Sequence, residues 1–164
     1  MSARNHRRRS QEFFMSTSNI VEYGLPILLD EAKTVVAAAE REATANGLAV
    51  IIAVVDSAGQ LVMLHRLDHA QFGSIGVAIA KAETAVRFKR ATKTFEDALS
   101  QGGMGLRLLT LANVTAVDGG VPLLRDLRVV GAIGVAGMLP QQDAQVASAG
   151  VAAFERSVRG ERSS

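Results

Sequence analysis

Apolar and polar positions follow two rhythms along this chain, and the changes between them mark out its elements. Between Leu25 and Asn46, the residues Leu28, Ala32, Val35, Val36 and Ala39 recur at helical spacing, with Asp30, Glu31, Lys33, Glu40 and Arg41 on the other side. Pro26 stands where a helix start tolerates it and Asn46-Gly47 closes the stretch, so the pattern predicts a helix. Ala49–Val55 is an apolar, β-branched run of buried-strand length; Asp56-Ser57-Ala58-Gly59 turns the chain and Gln60–Leu67 is its hairpin partner. Asp56 reads as a turn former, because its carboxylate can bond its own backbone.

Asp68–Phe72 is a loop, followed by a helix over Gly73–Arg90 whose core stripe is Ile75, Ile79, Ala82 and Val86. Thr94–Ser100 predicts a short helix closed by Gly102-Gly103, whereas residues 104–117 fit either period. Val121–Leu124 and Val129–Val135 form a second hairpin around Arg125-Asp126-Leu127, and Pro140–Arg159 is the closing helix. Strands joined as hairpins argue an antiparallel sheet layered with helices, an α+β (mixed α/β) fold and not a doubly wound one.

Composition bounds the function. With 164 residues, 48% of them hydrophobic, the chain has one domain's length and enough apolar residues to fold. The expected division is a disordered basic tail over 1–18 and one domain over 19–160. The tail carries Arg4, Arg7, Arg8 and Arg9 against Glu12, while acidic side chains slightly outnumber basic ones beyond it. The body therefore has no nucleic-acid footprint. No apolar run is long enough to span a membrane. Arg8-Arg9 hints at a twin-arginine export signal, but the polar Met15-Ser16-Thr17-Ser18-Asn19 replaces the required apolar region, so the expected location is the cytoplasm. Met15 reads as a plausible true start. The chain has no cysteine, which removes disulfides, thiolate metal sites and a Cys nucleophile.

The candidate chemistry gathers at element ends. His65 and His69 stand four apart, with Asp68 adjacent, and imidazole is a ligand for iron and divalent metals. Gly73-Ser74 opens one helix and Gly137-Met138-Leu139-Pro140 leads into another. First-turn amides at such ends can cradle an anion beside Arg66. Lys81, flanked by Ala78, Ala82 and Ala85, is a candidate acid/base or Schiff-base group if desolvated; otherwise its ammonium reaches Asp68 or Glu83. Ser74, Lys81, Thr84 and Phe88 share one side of their helix. The glycines 131, 134 and 137 lack the dinucleotide fingerprint and read mainly as points of close backbone or subunit approach.

Val55-Asp56-Ser57-Ala58-Gly59-Gln60-Leu61-Val62, Arg66-Leu67-Asp68, Gly73-Ser74 and Lys81-Ala82-Glu83-Thr84-Ala85 resemble the GlcG/HbpS-like family. The resemblance continues through Gly119-Gly120-Val121-Pro122-Leu123, Gly131–Gly137 and Gln142-Asp143, covering roughly residues 20–156. That family includes extracellular haem-binding proteins and a domain attached to some cobalamin adenosyltransferases. The resemblance implies a profilin-like fold, frequent homo-oligomerisation, and haem or another small ligand as partner. The family pattern has a small residue after Arg-x-Asp, where this chain has His69.

Two functions follow. One is a small-ligand-binding protein, taking haem or another anionic molecule in a pocket at the strand ends. Arg66, His69, Phe72, Gly73, Ser74, Thr84, Phe88, Gly137 and Asp143 would line it, with His69 the leading iron ligand. The other is a small enzyme or enzyme accessory acting on an anionic metabolite in a catabolic pathway, with Lys81 and Asp68 as its catalytic groups. Assembly is expected through the Ala/Gly-rich last helix (Ala144, Ala147, Ala149, Gly150, Ala152) or through sheet edges.

Overall fold

The computed structural model describes residues 20–161; the expectations about the basic tail and about Met15 lie outside the described residues. Helix α1 spans Leu29–Ala45, strand β1 Ile51–Asp56, strand β2 Leu61–Arg66 and helix α2 Ser74–Phe88. Helix α3 (Lys93–Ser100), a 3₁₀ segment (Gly103–Thr110), strands β3 (Gly120–Arg125) and β4 (Arg128–Ala136), and helix α4 (Pro140–Glu161) complete the order. The strands form one antiparallel sheet in the order β2-β1-β4-β3, so the expected helix-layered antiparallel fold is what the chain adopts.

The sheet is covered on both faces, and this explains the unbroken apolar run of β1. Ile51 through Val55 are all buried. Ile52 and Val54 join Val35, Val36, Val146 and Phe154 of α1 and α4 on one face. Ile51, Ala53 and Val55 pack on the other face against Ala78, Ala82, Ala85 and Val86 of α2. Burying each large aliphatic side chain contributes about 1.5–3 kcal/mol, so β1, supported from both sides, is the core of the domain.

Three glycines let these layers approach. A Cβ on Gly134 would stand 2.1 Å from the Ala78 carbonyl oxygen, and one on Gly120 would stand 2.4 Å from that of Lys81. On the other face, a Cβ on Gly150 would meet Ile133 and Val35 at 2.8 and 3.0 Å. Gly150 and Ala147 of α4 are therefore engaged within the chain, while Ala144, Ala149 and Ala152 are half-buried.

Both hairpins form as the turn chemistry dictates. Asp56 Oδ1 accepts hydrogen bonds from the amides of Ala58 and Gln60, both at 2.9 Å, and Gly59 takes φ +83°. In the second hairpin Asp126 and Leu127 both adopt positive φ, the signature of a two-residue type I′ turn. Helix α1 begins four residues later than the apolar pattern suggests, because Leu28 is extended. The residues before it bond instead to β4: the Val129 amide donates to Glu22 O, and the amides of Gly24 and Ile27 donate to Val129 O and Val130 O. They occupy the slot beyond the end of β1, whose pairing with β4 stops at Gly131. The buried residues of α2 are Ser74, Ala78, Lys81, Ala82, Thr84, Ala85 and Val86, so Ala82 and Val86 of the expected stripe face the core while Ile75 and Ile79 sit at its margin. The ambiguous stretch resolves into the 3₁₀ segment and irregular chain. No helix among the described residues is long and apolar enough to cross a membrane.

Candidate functional site

The hollows of interest lie around the end of β2, the edge strand next to β1. His65 pairs with Ile52 and Arg66 with Ile51, so adjacent side chains leave the strand toward opposite faces of the sheet. Leu67 then fastens the exit by donating its amide to Val50 O at 3.0 Å, and Ala70 buries itself under the loop. Gln71 Nε2 donates to Oγ of the buried Ser74 at 2.9 Å, tying the loop to the start of α2.

Arg66, Leu67, Asp68, His69, Ala70, Gln71 and Phe72 line a hollow of about 480 Å³. The Arg66 guanidinium carbon stands 5.0 Å from the centroid of the Phe72 ring, which is 75% exposed. Such a contact contributes about 0.5–1 kcal/mol at an exposed site, enough to pre-orient the cation over the ring. His69 holds φ +68°, a conformation in which histidine is enriched. A second hollow of about 360 Å³ shares Arg66, Leu67 and Asp68 and adds Glu40, Leu64 and His65. There His65 Nδ1 lies 2.8 Å from Glu40 Oε2 of α1. The two hollows adjoin around the strand end.

The other expected site residues go elsewhere. Lys81 and Asp143 meet each other in the interior, their side chains 1% and 3% exposed and Nζ 2.9 Å from Oδ2. Lys81 Nζ also donates to Val135 O at 2.9 Å, and Asp143 Oδ1 accepts from the Met138 amide at 3.1 Å. One pair thus pins α2, β4 and α4 together. Burial pushes the Asp143 carboxyl above the usual carboxylate range, and the adjacent Lys81 ammonium with the Met138 and Gly137 amides pulls it part of the way back. The partner of Lys81 is therefore Asp143, where the sequence suggested Asp68 or Glu83. Neither Lys81 nor Asp143 lines the hollows beside Arg66. Thr84, also buried, accepts the Thr115 amide at 2.9 Å, and Phe88 stacks edge-on against Phe95 at 5.3 Å.

The helix starts correct a further expectation. The Ser74 and Ile75 amides donate to Gln71 O and Phe72 O, and the Leu139 amide donates to Gln142 Oε1. With Met138 bonded to Asp143, these amides have partners inside the chain and are not free to cradle an anion. Gly73 opens α2 in helical conformation. Gly137 permits close approach, since a Cβ there would stand 2.7 Å from Ala49 O. Glu40, on the polar side of its helix in the sequence pattern, lines the smaller hollow. Its contact with His65 joins residues 25 apart in the chain, and no local periodicity could reveal it. Among the described residues no group of three His, Cys, Asp or Glu side chains could hold a metal ion.

Comparison with known proteins accords with this fold. The model of the family described as "Haem degrading protein HbpS-like" matches residues 27–152. The protein GlcG of Escherichia coli K12 is 36% identical over 104 residues, covering 63% of this chain and 76% of GlcG. The solved structure of the Klebsiella pneumoniae protein ORFY superposes with a TM-score of 0.74 at 30% identity, covering 84% of this chain and 96% of ORFY. A solved PduOC–haem complex superposes with a TM-score of 0.72 at 28% identity, covering 79% of this chain and 95% of that one. The chain belongs to the GlcG/HbpS-like family.

Proposed function

We propose that the protein binds a small anionic ligand, haem foremost, in the adjoining hollows at the end of β2. The observation that carries this reading is the Arg66 guanidinium poised over the exposed Phe72 ring above an open hollow. Arg66 offers a charged hydrogen bond to a carboxylate, Phe72 offers an apolar face, and His65 and His69 stand beside them with imidazole nitrogens.

That donor set fits haem: Arg66 would hold a propionate, Phe72 would contact the macrocycle, and one imidazole would meet the iron. When bound, haem would supply an iron centre able to take an imidazole nitrogen from the protein. The family description and the haem complex of PduOC, a relative by fold, support haem over other anions. Binding is favoured over catalysis because the ammonium of Lys81 is engaged by Val135 O and Asp143 in the interior. A homo-oligomer working in the cytoplasm completes the proposal.

Haem titration followed by the Soret band tests it. The wild-type protein should give a saturable shift of the band. Arg66→Ala should weaken binding by about 1.5–3 kcal/mol, the range for a charged hydrogen bond. A spectrum that stays that of free haem at all protein concentrations would overturn the reading.

A further inference from the structure

His65 and Glu40 form a pair whose chemistry is more defined than that of an ordinary surface contact. A carboxylate only accepts hydrogen bonds, so the ring nitrogen 2.8 Å from Glu40 Oε2 must carry the proton. With Nδ1–H committed to Glu40, a neutral His65 has its free lone pair on Nε2. The side chains are 39% and 43% exposed and both line the smaller hollow, so the pair stands open to a ligand. His69 lacks this arrangement: among the described residues it makes no hydrogen bond or ion pair that would fix its ring.

We infer that Glu40 and His65 form a ligating dyad in which Glu40 fixes the tautomer of His65 and His65 Nε2 is the axial ligand to haem iron. This rests on the haem reading above and names the imidazole that serves it. A bare metal ion needs several protein ligands, and no such group exists among the described residues. Haem iron already has four nitrogen ligands from its macrocycle and needs a single imidazole from the protein. A ligating histidine characteristically donates its other ring N–H to a carboxylate or carbonyl, which orients the ring and raises its basicity. His65 has that partner in place. Arg66, the next residue, borders both hollows.

The test has two independent readouts. In the ligand-free protein, ¹⁵N NMR of the imidazole should show the Nδ1–H tautomer of His65, and Glu40→Gln should erode that preference. A dominant Nε2–H tautomer in the wild type would overturn the dyad, whatever the protein does with haem. With haem added, His65→Ala should lose the imidazole-ligated ferric spectrum, and free imidazole should restore it. Glu40→Gln should weaken haem binding by about 10-fold or more, as removal of an orienting partner does. A wild-type haem spectrum in His65→Ala would overturn the inference while leaving haem binding intact. No Soret change in the wild type itself would overturn haem binding and the dyad's role in it together.

Discussion

Two side-chain pairs, Lys81–Asp143 and His65–Glu40, differ in that the first is sealed in the interior and the second is open to solvent. Removing one charge of the sealed pair leaves the other buried without its partner, so Lys81→Met alone should lower stability by about 3–5 kcal/mol. Lys81→Met with Asp143→Leu should regain most of that loss in urea denaturation; a double variant as unstable as the single would contradict the pinning role. The raised Asp143 carboxyl also gives a sign in pH. A proton held more tightly in the folded than in the unfolded chain adds stability that is fully present below the unfolded pKa and is lost as pH rises through the folded one. The stability of the wild type relative to Asp143→Asn should therefore rise as pH falls from neutrality into the carboxylate range. A difference that is flat, or that falls, would show that desolvation does not govern this carboxyl.

At the scale of elements, local chemistry written in the sequence was the part that could be read. Asp56 declared its turn because an Asx contact spans only a few residues, and β1 declared its burial through five consecutive apolar side chains. The N-terminal segment beside β4 was illegible, since its hydrogen bonds run to Val129 and Val130, more than 100 residues away. The same limit applies to the site. Arg66, His69 and Phe72 are close in sequence and do share a hollow. Lys81 was drawn into the site by helical spacing, whereas its tertiary partner Asp143 decides where its charge goes. Two substitutions test the element-level account. Gly134→Ala drives a Cβ against backbone atoms of α2 that cannot step aside, so it should destabilise by about 1–3 kcal/mol or more. Leu127, 83% exposed at φ +61°, contributes no burial that would offset its left-handed backbone. Leu127→Gly should therefore raise stability by about 0.5–1 kcal/mol, the gain from relieving the backbone less the extra chain entropy of glycine. Thermal denaturation reads both; an unchanged Tm for Gly134→Ala would contradict the close packing of α2 on β4.

Taken whole, the molecule packs part of its small-residue helix inward and leaves large apolar side chains exposed elsewhere. Gly150 packs on Val35 and Ile133 within the chain, whereas Met104, Leu106, Leu109 and Leu111 along the 3₁₀ segment are exposed. Association of copies is therefore expected to draw on that segment more than on α4. Light scattering should return a multiple of 17.3 kDa, and a monomer at micromolar concentration would remove the oligomer from the proposal. Amide chemical-shift mapping with a diamagnetic haem analogue, zinc protoporphyrin, tests where the ligand sits. Shifts should gather at residues 64–74 and around Glu40, on the two sides of the end of β2. Shifts gathered on the 3₁₀ segment or at the second hairpin, with residues 64–74 unmoved, would contradict this placement.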